Sequence, residues 1–165
     1  MIGVKIKGLN FRDGPGTMRR MKADIPFAGT VYETWTPEET WAVAGQIATR
    51  LPVRVVLALH GELGAGKTCF VQGLAQALGI RRPITSPTFT LIQEYQASRR
   101  LVHIDLYRIN SPDELLHLGF EDYLQQDGVL AIEWAERAGN LLPPTAWHLY
   151  FALDAGRGCH TLRVG

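Results

Sequence analysis

Residues 53–78 read VRVVLALHGELGAGKTCFVQGLAQAL, and the rest of the chain can be interpreted outward from them. Inside this segment Gly61, Gly66, Lys67 and Thr68 complete the spacing G-x-x-x-x-G-K-[ST], which is typical of a phosphate-binding (Walker A) loop. Glycines let several backbone N–H groups turn toward one anion without a Cβ clash, and the positive end of the following helix dipole points to the same place. The loop therefore predicts a site for the β-phosphate of a nucleotide.

The residues on either side of the loop have the periodicities that such a loop requires. The apolar, β-branched run VRVVLAL precedes it and predicts a buried strand. Apolar residues at helical spacing follow it: Phe70, Val71, Leu74, Ala75 and Leu78. Gly79 then ends the predicted helix. Because strand, loop and helix occur in the required order, a chance match to the loop pattern is disfavoured.

We assign nucleotide binding to the whole loop: Gly61, Glu62, Leu63, Gly64, Ala65, Gly66, Lys67, Thr68 and Cys69. Lys67 is expected to neutralise β- and γ-phosphate oxygens. The Thr68 hydroxyl is expected to take one coordination position on Mg²⁺. A nucleotide together with Mg²⁺ is therefore the expected ligand.

The composition is that of one ordinary globular domain. The chain has 165 residues, of which 46% are hydrophobic and 20% charged. The two cysteines, Cys69 and Cys159, have no metal-binding spacing, so free thiols are expected. No apolar run approaches the roughly 20 residues of a membrane span, and no signal peptide is recognised. We expect a cytoplasmic protein without a membrane partner.

Charge is distributed unevenly along the chain. Residues 1–28 contain six Lys/Arg and two Asp/Glu, which leaves 11 against 14 in residues 29–165. We expect a flexible arm over 1–28 and the folded domain over 29–165, whose acidic balance disfavours a broad nucleic-acid footprint. Two interpretations of the arm stay open: translation starts at Met18 or Met21, or the arm touches RNA.

Local signals also predict elements near both ends of the domain. TVYETW, residues 30–35, alternates as a strand does. Thr36-Pro37-Glu38-Glu39 has the capping pattern that starts a helix, expected to run through Arg50. Residues 147–153 and 159–164 flank the turn DAGRG and predict a C-terminal β-hairpin.

Hydroxyl side chains surround a proline shortly after the helix that follows the phosphate-binding loop. Thr85, Ser86, Pro87 and Thr88 precede an alternating strand, at the place where phosphate-loop proteins sense the γ-phosphate with a switch segment. The hydroxyls could face a γ-phosphate or a metal-bound water. Alternatively, they satisfy local backbone in an ordinary hairpin lead-in.

Two apolar strands end in carboxylates. LVHID ends at Asp105, and VLAIE ends at Glu133. Because the carboxyl ends of parallel strands lie at the edge where the phosphate loop lies, both carboxylates are expected near the nucleotide. One of them should be the Walker-B carboxylate, which interacts with the metal ion and water. The two strand patterns are too similar to identify which one it is.

Five motifs together resemble one protein family. They are GELGAGKT at 61–68, TSPTFTL at 85–91, HIDLYR at 103–108, LGFEDYL at 118–124 and IEW at 132–134. In this order and in so short a chain they closely resemble the TsaE (YjeE) family, the small bacterial ATPases of tRNA threonylcarbamoyladenosine biosynthesis. The resemblance extends from about Val31 to the C-terminus.

The resemblance implies a P-loop NTPase of α/β class, with three layers, a central mixed, mainly parallel sheet and the C-terminal β-hairpin. It also implies Mg²⁺-dependent ATP hydrolysis that supports the proteins TsaD and TsaB. That pair attaches threonylcarbamoyl to the adenosine beside the tRNA anticodon, so this chain would meet tRNA only indirectly. We expect slow hydrolysis by the isolated protein and stimulation by these partners.

The resemblance also assigns roles to single residues. Lys67 holds phosphates, Thr68 and Glu133 bind Mg²⁺, and Asp105 positions or activates water, so Asp105, Lys67 and Glu133 are the catalytic candidates. Thr85 to Thr88 form the switch-like loop, and Trp134 is the aromatic residue beside the metal carboxylate. Arg108 would contact the γ-phosphate or a partner, with an exposed ion pair as the alternative.

A phosphate-binding loop also occurs in proteins of three other functional classes. A metabolite kinase would need a cationic lid segment, and none is recognisable. A regulatory GTPase would need an N-K-x-D motif and a D-x-x-G after the phosphate loop, and the sequence has neither. A nucleotide-gated interaction module, in which hydrolysis only ends a complex, overlaps with the family expectation and stays open.

Overall fold

The computed structural model describes residues 5–7, 25 and 27–165. In this part of the chain the strands are β1 Lys5–Lys7, β2 Val31–Thr34, β3 Arg54–His60, β4 Ile92–Tyr95, β5 Leu101–Asp105, β6 Gly128–Glu133, β7 Trp147–Asp154 and β8 Cys159–Val164. The helices are α1 Pro37–Ala48, α2 Lys67–Ala77, α3 Pro112–His117, α4 Phe120–Gln125 and a 3₁₀ helix at Ala135–Leu141 that kinks at Gly139. None of these helices is long and apolar enough to cross a membrane.

All eight described strands belong to one sheet, in the order β1-β2-β8-β7-β3-β6-β5-β4. The pairings β7–β3, β3–β6 and β6–β5 are parallel, and the four outer pairings are antiparallel. The predicted α/β fold with a mixed sheet and a β7–β8 hairpin is confirmed. Its expected mainly parallel character describes the four central strands.

Apolar residues cover both faces of the sheet, which gives the expected three layers. Leu57 and Leu59 of β3 belong to a buried cluster with the apolar sides of α1 and α2. Val56 and Ala58, on the opposite face of the same strand, pack with α3, α4 and the 3₁₀ helix. Because successive strand residues face opposite ways, a continuous apolar run is what a strand buried on both sides needs.

The start of α1 has the predicted capping arrangement. Thr36 accepts a hydrogen bond from the Glu39 backbone N–H at 3.3 Å, and Glu39 Oε2 accepts one from the Trp35 N–H at 2.6 Å. Pro37 occupies the first turn, where its missing N–H costs nothing. The helix ends at Ala48, two residues before the predicted end.

The predicted arm over residues 1–28 lies largely outside the described residues. Lys5–Lys7, within it, forms β1 and pairs antiparallel with β2. The hypotheses about its start codon and its contact with RNA stay predictions.

The carboxyl ends of the central strands position the site. β3 ends at His60 and leads into the glycine-rich loop, while Asp105 and Glu133 are the last residues of β5 and β6. Glu133 is in register with Leu59 on one side and with Asp105 on the other. The loop and both carboxylates therefore share one edge of the sheet, as predicted.

Candidate functional site

Three glycines of the loop adopt backbone conformations that disfavour other residues. The φ angles are +140° at Gly61, +79° at Gly64 and +104° at Gly66. A Cβ at Gly61 would also collide with the backbone carbonyl of Phe151. Gly66 caps α2, whose first residue is Lys67, so the N–H groups that begin this helix open toward the loop.

Lys67 is folded into the loop. Its side chain is only 4% exposed, and its ammonium donates to the carbonyl oxygens of Gly61 and Glu62, the latter at 2.9 Å. The Nζ atom also lies 4.2 Å from the centre of the Trp134 ring. Burial lowers the Lys67 pKa, and nearby carboxylates, Glu133 first among them, oppose that shift. The ammonium is thus held by neutral groups that phosphate oxygens can replace.

Glu133 is the strand-end carboxylate that contacts α2, the helix after the glycine-rich loop. Thr68 Oγ1 donates to Glu133 Oε1 at 2.7 Å. His103 Nε2–H donates to the same oxygen at 2.8 Å, and both members of this second pair are buried. The strand order explains why Glu133, and not Asp105, contacts Thr68: β6 lies beside β3, whereas β5 is one strand further away.

The oxygens of Thr68 and Glu133 suit a hard divalent cation that keeps other ligands. In the described residues no group of three or more His, Cys, Asp or Glu side chains is arranged to hold a metal by itself. Mg²⁺ is commonly held by one or two protein oxygens together with substrate phosphates and waters. The donor set therefore fits a cation that enters with a nucleotide.

Asp105 connects the hydroxyl-bearing loop to the sheet edge. Its Oδ2 accepts from Ser86 Oγ at 2.7 Å and from Thr88 Oγ1 at 2.6 Å, and its Oδ1 accepts from the Tyr107 N–H at 2.9 Å. The hydroxyls of Ser86 and Thr88 are thus paired with a buried carboxylate. Neither interpretation from the sequence, hydroxyls facing a γ-phosphate or a metal-bound water, or hydroxyls satisfying local backbone, anticipates this contact.

The remaining switch-loop residues have backbone or surface positions. Pro87 is buried, and its carbonyl accepts from the Leu91 N–H at 2.6 Å in a local turn. Thr85 is exposed. The loop therefore combines a backbone turn with the two hydroxyl contacts to Asp105.

Trp134 is half-buried, whereas Arg108 lies on the surface. Trp134 has a left-handed backbone, with φ +56°, and its ring meets that of Tyr107 at 5.1 Å. Arg108 is exposed, and its guanidinium lies 4.7 Å from the Phe89 ring centre. Phe89 is itself 83% exposed. Arg108 thus contacts an aromatic surface residue of the loop after Thr88, outside the lining of the cleft described next.

Most of the predicted site residues line one cleft of about 510 Å³. Its lining comprises Trp35, Thr36, Pro37, Thr40, Leu63, Gly64, Ala65, Gly66, Lys67, Thr68, Cys69, Ser86, Thr88, Asp105, Tyr107, Glu133, Trp134 and His160. Gly61, Glu62, Thr85, Pro87 and Arg108 are not part of that lining. The volume lies within the usual range for ligand sites, about 300–1,000 Å³. Both cysteines are free, as expected, and Cys69 lines the cleft.

Several residues of the site had no predicted role in it, and they include His103, His160 and Trp35. His103 contacts Glu133, His160 Nδ1–H donates to the Ala65 carbonyl at 3.1 Å, and Trp35 lines the cleft from the end of β2. His103 had a recognisable signal, since it lies two residues before Asp105 and therefore on the same face of an apolar strand. The other two come from distant segments and had none.

Comparison with known proteins gives consistent matches. The family model described as "Threonylcarbamoyl adenosine biosynthesis protein TsaE" matches residues 34–158. A protein of Treponema pallidum is 48% identical over 88 residues, which are 53% of this chain and 65% of that protein. One of Bacillus subtilis is 44% identical over 113 residues, which are 68% of this chain and 70% of that protein. Both are described as tRNA threonylcarbamoyladenosine biosynthesis protein TsaE.

A solved structure matches as well. The crystal structure of Bacillus subtilis YdiB superposes with a TM-score of 0.70 at 35% identity, covering 81% of this chain and 82% of that one. The matched segment of the Treponema protein is slightly less than two thirds of its length. The shared region includes the glycine-rich loop and both strand-end carboxylates, since all lie within residues 34–158.

Proposed function

Because this chain belongs to the TsaE family, we propose that it binds and hydrolyses ATP with Mg²⁺ to support formation of threonylcarbamoyladenosine beside the tRNA anticodon. It acts on a transferase complex of TsaB and TsaD and does not perform the transfer itself. Contact with tRNA is indirect, through that complex. The cytoplasm is the compartment of this activity.

The observation that carries the proposal is the convergence of four side chains in one cleft. Lys67, Thr68, Asp105 and Glu133 come from two strands and one helix, and all four line it. Catalysis of phosphoryl transfer consists mainly of positioning and charge compensation. A cleft with one cation, two carboxylates and a helix N-terminus can provide both.

The phosphates would bind where the loop and α2 meet. The glycines with positive φ leave room for an anion close to the backbone, and the start of α2 supplies N–H groups with a favourable dipole. The Lys67 ammonium would exchange the carbonyls of Gly61 and Glu62 for phosphate oxygens. A charged acceptor makes the stronger hydrogen bond, so the exchange is favourable.

Thr68 and Glu133 are the residues that would hold Mg²⁺. When bound, this ion compensates charge on the β- and γ-phosphate oxygens. The hydroxyl and the carboxylate already lie in contact, so the protein contribution to the ion site needs little rearrangement.

Asp105 would orient the attacking water by accepting its hydrogen bond. Its Oδ2 is engaged by Ser86 and Thr88, so the switch-like loop and the water compete for the same carboxylate. A partner that moves this loop would free Asp105 for water. We therefore expect slow hydrolysis by the isolated protein and faster turnover in the presence of the transferase pair.

The test measures ATP hydrolysis and modified adenosines together. Wild type and Lys67→Ala are assayed with and without TsaB, TsaD and tRNA, with GTP as a competing nucleotide and Arg50→Ala, outside the cleft, as a matched charge control. We expect repeated modification with wild type and Arg50→Ala only, and preference for ATP. Hydrolysis indifferent to the partners, together with modification that proceeds without this protein, would reject the proposal.

A further inference from the structure

His103 is a histidine with no exposed surface in the middle of β5. Its Nε2–H donates to Glu133 Oε1, while its Nδ1 is buried without a hydrogen-bond partner in the described part of the chain. An apolar side chain of similar size would fill this position without leaving a nitrogen unsatisfied. Packing therefore does not explain the imidazole, and its contact with Glu133 does.

The contact restricts the Glu133 carboxylate. Thr68 Oγ1, at the start of α2, and His103 Nε2, on β5, reach the carboxylate from different elements and both donate to Oε1, at 2.7 Å and 2.8 Å. Two donors on one oxygen hold that oxygen in place and restrict rotation of the carboxylate. In the described part of the chain both of these hydrogen bonds go to Oε1, so the second oxygen, Oε2, can take a ligand in the cleft that Glu133 lines.

We propose that His103 is a positioning residue that orients Glu133 toward the divalent cation of a bound Mg²⁺-nucleotide. The inference rests on the proposed function, because it requires a nucleotide and Mg²⁺ in the cleft. His103 is outside the cleft lining and acts only through Glu133. Hydrogen-bond partners behind a metal ligand commonly raise metal affinity by holding that ligand in one orientation.

Two variants separate positioning from packing. His103→Leu introduces an apolar side chain of similar size and removes the donor. His103→Gln places an amide N–H near the position of Nε2 and keeps the donor. Each is compared with wild type by calorimetric titration of ADP in EDTA, by MgCl₂ titration of the ADP-bound protein, and by thermal unfolding.

We expect similar ADP affinity in EDTA for all three proteins. The MgCl₂ concentration at half-saturation should rise about tenfold or more in His103→Leu and return close to the wild-type value in His103→Gln. A wild-type MgCl₂ midpoint in His103→Leu, with or without lower thermal stability, would overturn the inference. So would an equal weakening in both variants, because the donor would then be irrelevant.

A second measurement covers the case in which His103→Leu does not fold. In wild type, the hydrogen-bonded imidazole N–H of His103 is followed by proton NMR while MgCl₂ is added to the ADP-bound protein. We expect its resonance to shift in step with Mg²⁺ binding, and an unmoved resonance contradicts the inference. Wild-type protein that binds no nucleotide would instead reject the proposed function, so the two failures are distinguishable.

Discussion

Thr68 Oγ1 and Glu133 Oε1 lie 2.7 Å apart although 65 positions separate the two residues in the chain. The contact exists because β6 inserts between β3 and β5, which brings its last residue beside the first turn of α2. The strand-end carboxylate of β5, Asp105, is displaced by one strand and meets Ser86 and Thr88 instead. Two similar carboxylates thus have different partners, and different roles are expected of them.

Replacing Asp105 by Asn should separate nucleotide binding from hydrolysis. The side chain keeps its shape but loses the charge that orients a water, so we expect the hydrolysis rate to fall by about 100-fold or more with little change in ADP affinity. Steady-state hydrolysis and calorimetry measure the two effects. Asp113→Asn, at the exposed start of α3, is the control, and equal rates for Asp105→Asn and wild type would contradict the role.

Nucleotide binding should change the fluorescence of Trp134. Its ring lies 4.2 Å from Lys67 Nζ, and phosphates that draw the ammonium away alter the electrostatic environment of the indole. We expect ADP to change the emission of a Trp35→Phe protein, which lacks the other tryptophan of the cleft. Additional Trp134→Phe substitution should abolish the change, whereas Trp147→Phe, at a buried position of β7, should retain it.

Two glycine-to-alanine substitutions should have opposite effects. At Gly61, with φ +140°, a Cβ meets the Phe151 backbone, so we expect lower stability and loss of ADP binding. At Gly45, inside α1, a Cβ meets nothing within 4 Å, and alanine should raise the free energy of unfolding by about 0.5–1 kcal/mol. Urea unfolding and calorimetry test the pair, and a tolerated alanine at Gly61 would disprove the proposed constraint.

Stability should decrease in mild acid through His148. Burial and the adjacent His60, whose Nε2 lies 2.9 Å from His148 Nδ1, lower the pKa of His148 below its ordinary value of about 6.5. The unfolded chain therefore binds a proton at this ring more readily than the native protein does. The free energy of unfolding consequently decreases as the pH falls below about 6.5, until the pH has passed the lowered native pKa.

Urea unfolding across this pH range measures the effect. His148→Gln removes the ring and should make the pH dependence less steep, and His117→Gln, at an exposed position of α3, is the control. A slope in His148→Gln equal to that of wild type would assign the pH dependence to other groups.

Features set by near neighbours in the chain could be predicted from the sequence. The Thr36–Glu39 cap of α1 and the turn of the C-terminal hairpin depend on contacts between near neighbours, and the glycine-rich loop is identified by its residue types and spacing. Such contacts need only local backbone geometry, so residue type and spacing are sufficient to identify them. The position of both carboxylates at one edge of the sheet could also be predicted, because the carboxyl ends of parallel strands lie at the same edge.

The contacts between residues far apart in the chain could be identified only from the tertiary structure. Residue types and spacing left open which carboxylate serves the phosphate helix, and the family resemblance favoured Glu133 without a physical reason. That reason is the strand order, which places β6 beside β3 and brings Glu133 to Thr68 and His103. The strand order is decided by which arrangement buries both apolar faces of every central strand. Several segments have similar hydrophobicity, so their order cannot be read from each segment alone and depends on the packing of the whole sheet.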